Sequence, residues 1–236
     1  MSTHLVYGTA HELDPAGDFA DWLDPRRAAV VSIDMHEGHL STDPACPCPA
    51  PRGREIIEPI DAFHRAARDA GVPVIHVRSE VRASGADDVN GASSAAWRVT
   101  FPKFVGPIPG ADQHALQGSR WTDFVTEVGF GDEVVTGKKR LSAFYPTDLD
   151  FLLRQMGRTA VVLNGIMADC CVLNTAFDAN NLGYRVTVLQ DLVRGTDSAL
   201  EAAALSIVSL HLGLVVTSNT LLDSWNGVLS SDTGGA

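Results

Sequence analysis

The chain has 236 residues, of which 45% are apolar and 20% are charged, a length and composition typical of one folded α/β domain. Its 18 basic and 29 acidic side chains give a formal net charge of −11. This charge disfavours non-specific binding to nucleic acid or to anionic membrane surfaces. The sequence shows neither a signal-peptide pattern nor an apolar run of about 18 residues. We therefore expect a cytoplasmic protein whose partner is a small molecule.

The four cysteines occur as two close pairs, Cys46 with Cys48 and Cys170 with Cys171. This spacing is unlike the disulfide framework of a small secreted protein, and it favours a reducing compartment. Cys46 and Cys48 could supply two thiolates to a metal, but a closed zinc site needs about four ligands. The pair is therefore interpreted as part of a loop.

The first predicted elements form a strand–helix–strand unit. An apolar, β-branched run from Ala28 to Ile33 predicts a buried strand that ends at Asp34. After a proline-rich loop over 43–52, apolar residues recur at helical spacing over 56–70, which predicts an amphipathic helix. The run at 73–77 then predicts the second strand.

The middle of the chain, 79–131, has no clear periodicity and is a candidate lid over a substrate site, with a short helix predicted from Trp121 to Val128. Regular alternation returns beyond it, and this alternation predicts one three-layer α/β/α domain with a six-stranded, mostly parallel, doubly wound (Rossmann-like) sheet. The core is expected over about 28–217, with 1–20 and 229–236 peripheral. The later strands are predicted at 133–137, 159–165, 184–189 and 213–217, and the later helices at 146–156, 171–182 and 198–211.

Polar residues follow several of the predicted strands. In doubly wound folds ligands bind beyond the carboxyl ends of the strands, so Asp34, Arg78, Lys138 and the turn that leads to Cys171 could share one cleft. Each has a structural alternative: a loop hydrogen bond for Asp34, a solvated surface for Lys138 and an inert buried thiol for Cys171. A cysteine at the start of a helix nevertheless gains thiolate character from the backbone N–H groups.

Three segments together carry a more specific pattern: VSIDMHEG around Asp34, KKRLSAFYPTDLDFLL from Lys138, and LNGIMADCCVLNTAFDANNLGYRVTVLQD around Cys171. Over about 28–217 they resemble the isochorismatase-like cysteine hydrolases, which include nicotinamidases, N-carbamoylsarcosine amidase, and ureidoacrylate and maleamate amidohydrolases. The resemblance places the catalytic triad of that family on Asp34, Lys138 and Cys171. It implies an amidohydrolase that cleaves the C–N bond of a small amide, carbamoyl or ureido substrate through a thioester and releases ammonia or an amine.

The resemblance also implies roles for the backbone near the nucleophile. The N–H groups of Met167 and Cys171 would bind the oxyanion, and a cis peptide bond would join Ile166 and Met167. Asp34 would accept the thiol proton, and Lys138 would stabilise the negative charges. No cofactor is implied, and a homodimer or homotetramer is expected.

Two other functions are considered. A vinyl-ether hydrolase of the isochorismatase type is disfavoured because those relatives lack the cysteine that Cys171 supplies. A non-catalytic binding protein of the same fold is disfavoured by the intact triad. His36 and Glu37 depart from the usual family segment D-M-Q-N-D-F, so the entrance to the site is expected to differ.

Metal binding is not expected from the motifs. Nicotinamidases hold their metal partly through an Asp-x-His motif after the second strand, and this chain lacks that motif. His36 and His39 after Asp34 are weaker ligand candidates, and His76 inside the second strand is interpreted as a core residue.

The substrate contacts are predicted from side-chain type. Arg78 at the end of the second strand could bind a carboxylate in bidentate fashion, although arginine there is also common in structural ion pairs. Trp97, Phe104 and Trp121 could supply apolar walls, with His36 at the entrance.

Overall fold

A six-stranded parallel sheet lies at the centre of the computed structural model, which describes residues 2–87 and 92–233. Near the N-terminus, β1 (Thr3–Val6) and β2 (Thr9–Glu12) form a separate antiparallel hairpin that the sequence did not predict. The order across the large sheet is β5-β4-β3-β6-β7-β8, and every neighbouring pair is parallel, which confirms the predicted fold class. Its strands are β3 (Ala28–Ile33), β4 (Val74–Ser79), β5 (Glu133–Lys138), β6 (Ala160–Ile166), β7 (Arg185–Arg194) and β8 (Gly213–Val216).

Helices connect the strands and cover the sheet. In the described residues no helix has the length and apolar character needed to cross a bilayer. The α-helices are α1 (Ala20–Leu23), α2 (Glu37–Leu40), α3 (Ile57–Asp69), α4 (Ala92–Val105), α5 (Leu149–Gln155), α6 (Leu173–Asn181), α7 (Ser198–Ile207) and α8 (Ser218–Thr233). Short 3₁₀ helices occur at Pro51–Ile56, Ala111–Gln113 and Arg120–Thr122, and short π-helices at Ala168–Val172 and Val208–Leu212.

Both faces of the sheet are buried, as the alternating side chains of β3 show. Val31 packs on one face with Leu153 of α5, in a cluster that also includes residues of α6 and α7. Val30 packs on the other face with Phe63 of α3 and Trp225 of α8. Successive residues of a strand point to opposite faces, so an apolar run without alternation indicates a strand covered on both sides. The helices therefore form the outer two of three layers.

The structure corrects the predicted helix from Trp121 to Val128. Only the 3₁₀ turn Arg120–Thr122 is helical there, and the chain then runs beside the segment that follows β3. The backbone N–H of Val125 donates to the Met35 carbonyl at 3.0 Å, and Phe124 pairs with His36 in an antiparallel bridge. These tertiary hydrogen bonds replace the bonds that a helix would make within itself.

The C-terminal end of the core also differs from the prediction. The side chain of Trp225 in α8 is fully buried, so the core extends past the expected limit at 217. Helix α4 lies in the segment 79–131, which showed no periodicity. Residues 88–91 of that segment and 234–236 at the C-terminus lie outside the described residues.

The switch point of the sheet lies between β3 and β6, because the chain leaves β3 towards β4 on one side and returns to β6 on the other. Gly165 lets these two strands approach closely near their carboxyl ends. Its φ is +106°, and a Cβ atom there would lie 2.2 Å from the Ile33 carbonyl oxygen. Only glycine fits this position, and the close approach brings Asp34 and the turn after β6 together.

Candidate active site

Asp34, Lys138 and Cys171 meet beyond the carboxyl ends of β3, β5 and β6. The ammonium nitrogen of Lys138 lies 2.7 Å from Asp34 Oδ2 and 3.4 Å from Cys171 Sγ. The exposed fractions of Asp34, Lys138 and Cys171 are 0%, 1% and 7%. Although Asp34 and Cys171 are more than 130 positions apart in the sequence, the strands that precede them are neighbours in the sheet. Their carboxyl ends therefore lie side by side. The lysine thus bridges a buried carboxylate and a buried sulfur.

Ser79 is a fourth member of this cluster. Its backbone N–H donates to Asp34 Oδ1 at 3.0 Å, and its hydroxyl lies 3.2 Å from Asp34 Oδ1 and 2.9 Å from Lys138 Nζ. Ser79 is not among the residues that the sequence predicted for the site. The signal that could have identified it is its place at the end of β4, where it pairs in register with Lys138.

Burial and charge set the protonation states of the cluster. Burial alone would raise the pKa of Asp34, but the adjacent Lys138 ammonium holds it well below its usual range. Burial lowers the pKa of Lys138, and the Asp34 carboxylate more than reverses this and raises it. Contact with the Cys170 thiol and burial both raise the pKa of Cys171. The Lys138 ammonium lowers it, but by less. At neutral pH the cluster is therefore a carboxylate, an ammonium and a thiol.

The turn after β6 presents Cys171 to this ion pair. The peptide bond between Ile166 and Met167 is cis. The π-helix Ala168–Val172 follows and leads directly into α6. The hydroxyl of Thr175 donates to the Cys171 carbonyl at 2.7 Å and fixes the register of this turn. Cys171 therefore lies in the first turn of a helical segment, where backbone N–H groups favour negative charge.

A cavity of about 350 Å³ opens onto Lys138 and Cys171. The segment 79–131 contributes aromatic side chains to its wall, and residues just after β5 contribute cationic ones. The volume suits a small molecule rather than a polymer. The aromatic lining residues are Trp97, Phe101 and His114, and the cationic ones include Arg98, Lys139 and Arg140.

Of the predicted substrate residues, only Trp97 lines this cavity. Arg78 instead donates to the Thr122 carbonyl at 2.7 Å and pairs with Glu80 at 3.3 Å, so its guanidinium is used within the fold. Phe104 is 63% exposed to solvent. Trp121 is buried beneath Arg120 and does not face the cavity.

His36 is fully buried and also does not line the cavity. Its Nδ1 donates to the Trp121 carbonyl at 2.8 Å, and its Nε2 lies 3.8 Å from Asp34 Oδ1. Burial lowers the pKa of His36 to about 3, so the ring is neutral at physiological pH. His36 is therefore a buried neighbour of Asp34 and does not form the entrance.

A second cluster, formed by His39, Cys48 and His114, lies in the cavity wall. One potential ligand atom from each residue lies within 4.8 Å of the other two. Burial lowers the pKa of both histidines and raises that of Cys48. Cys48 is one of the pair interpreted as a loop, and His114 had no signal in the sequence. His76, by contrast, is buried and pairs with Asp132 at 2.9 Å, away from this cluster.

The chain is similar in sequence and in fold to known hydrolases. The family model for the isochorismatase domain matches residues 28–220. Maleamate amidohydrolase of Pseudomonas putida is 28% identical over 81% of this chain and 84% of its own length. Ureidoacrylate amidohydrolase of Methylobacterium radiotolerans is 32% identical over 82% of this chain and 77% of its own. The crystal structure of a cysteine hydrolase from Pseudomonas syringae pv. phaseolicola, at 22% identity, covers 86% of this chain and 94% of its own with a TM-score of 0.74, a likeness of fold.

Proposed function

Since the chain belongs to the isochorismatase family, we propose that it is a cysteine-dependent amidohydrolase that acts on a small amide, carbamoyl or ureido substrate. The observation that carries the proposal is the position of Lys138 Nζ, 2.7 Å from Asp34 Oδ2 and 3.4 Å from Cys171 Sγ. One cation can hold the base ionised and then stabilise the sulfur when its proton leaves. Similarity to two amidohydrolases supports the same reaction class.

In the proposed first half-reaction, Asp34 accepts the thiol proton of Cys171 while the sulfur attacks the substrate carbonyl. Thiols need such activation because only a few per cent of an ordinary thiol is ionised near pH 7. The oxyanion is bound by the backbone N–H groups of Met167 and Cys171. Collapse of the tetrahedral intermediate breaks the C–N bond, and Asp34 returns the proton to the leaving nitrogen. Ammonia or an amine departs, and the acyl group stays on Cys171 as a thioester.

In the second half-reaction, the carboxylate of Asp34 takes a proton from water, which attacks the thioester carbonyl. The C–S bond breaks, and the proton on Asp34 restores the Cys171 thiol. The product that leaves is a carboxylic acid for an amide substrate and carbamic acid for a carbamoyl or ureido substrate. Lys138 remains protonated throughout, in keeping with the raised pKa that its carboxylate partner gives it.

The cavity favours a substrate that carries a carboxylate. Lys139 and Arg140 line it near Lys138, and Arg140 NH1 donates only to the backbone carbonyls of Asp87 and Lys139 among the described residues. Guanidinium groups bind carboxylates well. Lys139 is already paired with Asp87 at 3.0 Å, so Arg140 replaces Arg78 as the proposed anchor for the substrate. Maleamate and ureidoacrylate, named in the two relatives, are both carboxylates.

The test is ammonia release from maleamate, ureidoacrylate, N-carbamoylsarcosine and nicotinamide. We expect turnover of at least one of the three carboxylates, a preference over nicotinamide, and a loss of affinity in Arg140→Gln. Folded protein that turns over none of the four, and that forms no acyl adduct on Cys171 with any of them, would favour a non-catalytic binding role. Preference for nicotinamide would refute the carboxylate anchor.

A further inference from the structure

The cluster of His39, Cys48 and His114 takes no part in the proposed chemistry, yet it lines the same cavity as Cys171. The three residues come from different parts of the chain: the last turn of α2, the loop after it, and the end of the 3₁₀ helix Ala111–Gln113. Folding therefore brings two imidazoles and a thiol together, with one ligand atom of each within 4.8 Å of the others. Imidazole and thiolate are the ligands that zinc prefers.

The hydrogen bonding of His39 leaves one ring nitrogen free to act as a ligand. Its Nδ1 lies 2.9 Å from the Cys48 carbonyl oxygen. Because a carbonyl only accepts, Nδ1 carries the proton, and Nε2 has an available lone pair. A backbone carbonyl that fixes the tautomer in this way is the usual partner of a metal-binding histidine.

The backbone holds His39 and Cys48 in place without help from a ligand. The N–H of Cys48 donates to the Gly38 carbonyl at 3.1 Å, and the N–H of Ala50 donates to the His39 carbonyl at 2.8 Å. These bonds tie the loop to α2 on both sides of Cys48. Both side chains are about 5% exposed, which excludes most water from the site. The two ligands are thus preorganised.

The hydrogen bonding of His114 gives a second reason to expect a ligand at this cluster. Within the part of the chain that the structure describes, its buried Nδ1 has no hydrogen-bond partner. Its ring lies 4.7 Å from that of His39 and packs against the edge of Trp97 at 5.5 Å. Buried polar atoms are nearly always satisfied by a partner, water or an ion. A cation in the cluster would accept lone pairs from the imidazole nitrogens of His39 and His114.

We propose that His39, Cys48 and His114 bind a borderline-soft divalent cation such as Zn²⁺, with a fourth coordination position that faces the cavity. Three protein ligands and one open position are the arrangement of zinc sites that accept a small ligand, and this mixed nitrogen–sulfur set disfavours Mg²⁺ and Ca²⁺. On binding, the S–H bond of Cys48 breaks, the S–metal bond forms and the proton goes to solvent. None of the three ligands belongs to an Asp-x-His motif after the second strand of the sheet.

The test is titration of metal-free protein with Co²⁺, which reports a thiolate ligand through a sulfur-to-cobalt charge-transfer band and a tetrahedral site through intense d–d bands. We expect one equivalent per chain, displaced by Zn²⁺ and not by Mg²⁺. Cys48→Ser should abolish the charge-transfer band, and His114→Gln should weaken cobalt binding by at least about tenfold. Cys46→Ser is the matched control, since Cys46 is also buried but lies outside the cluster.

The band should persist in Cys170→Ser and Cys171→Ser, because the proposed site does not use the thiols of the active centre. Absence of the band from the wild type, or its loss in Cys46→Ser or Cys171→Ser but not in Cys48→Ser, would refute the site. If Cys48→Ser does not fold, His114→Gln decides alone, because unchanged cobalt affinity in that variant also refutes it. The assay measures no turnover, so its outcome is separate from that of the proposed function.

Discussion

At the scale of single residues, Asp34 has two tasks, because it is the proposed base and also the buried counter-ion of Lys138. Asp34→Asn should lower the rate of ammonia release by at least about 100-fold, since an amide cannot accept the thiol proton. It should also lower the free energy of unfolding by about 3–5 kcal/mol, because it leaves a buried ammonium without a charged partner. Denaturant unfolding and steady-state kinetics measure the two effects.

The double variant Asp34→Asn with Lys138→Met separates these tasks. Removal of the unpaired charge should restore part of the lost stability. It should restore no activity. A single Asp34→Asn variant whose rate stays within about tenfold of wild type would instead mean that another group is the base.

Ser79 is proposed as a positioning residue that holds the carboxylate and the ammonium in register. Ser79→Ala removes the hydroxyl contacts but keeps the backbone bond to Asp34. Loss of about 1–1.5 kcal/mol should lower kcat roughly tenfold with little change in KM. Ser32→Ala is the control, since Ser32 is buried one strand away and its hydroxyl has no hydrogen-bond partner within the described residues. Equal effects of the two substitutions would contradict the positioning role.

At the scale of elements, α8 is the helix whose importance the sequence did not indicate. Trp225 is fully buried against α3, where its ring lies 6.0 Å from that of Phe63. Trp225→Ala should cost about 3–5 kcal/mol of unfolding free energy and leave kcat unchanged in the protein that remains folded. Phe151→Ala, at a site that is 62% exposed, should cost far less. Thermal or denaturant unfolding of both variants decides whether α8 belongs to the core.

The elements also show where prediction from sequence succeeds. The strands of the large sheet were predicted because apolar runs such as 28–33 record burial on both faces, a local property of the sequence. The helix predicted from Trp121 to Val128 was wrong because hydrogen bonds to Met35 and the pairing with His36 come from a distant segment. Local periodicity carries no information about such partners.

In the site, too, residues with a local sequence signal were predicted, and those whose role depends on a distant segment were not. Asp34, Lys138 and the turn to Cys171 were predicted because they follow strands and carry a specific joint pattern. Arg78 follows a strand too, but its guanidinium binds the Thr122 carbonyl, which no spacing rule reveals. The meeting of Cys48 with His114 likewise depends on how a long connecting segment folds back over the cavity.

At the scale of the whole molecule, buried neutral histidines should make the fold sensitive to acid. Burial lowers the pKa of His64 to about 3, from the ordinary histidine value of 6.5. Between these values the unfolded chain binds a proton at His64 that the folded chain does not, so the free energy of unfolding falls as pH falls. Each such histidine contributes a slope of up to about 1.4 kcal/mol per pH unit.

His64→Gln should therefore reduce the slope of unfolding free energy against pH between about pH 6 and pH 4. The reduction should be up to about 1.4 kcal/mol per pH unit, which is the contribution of one proton. Urea unfolding across this range measures the slope independently of any loss in absolute stability. The exposed His211→Gln is the control and should follow the wild-type slope. A slope in His64→Gln equal to that of wild type would show that His64 is not held neutral by the fold.

The proposed mechanism depends on Cys171 as the residue that becomes acylated, and its neighbour Cys170 offers a matched comparison. The most direct measurement is intact-mass and peptide analysis of protein quenched with acid during turnover of a substrate found by ammonia release. We expect an acyl adduct on Cys171 in the wild type and in Cys170→Ala. We expect none in Cys171→Ala, which should also release no ammonia. An adduct or sustained turnover in Cys171→Ala, or an adduct mapped to Cys170, would contradict the account.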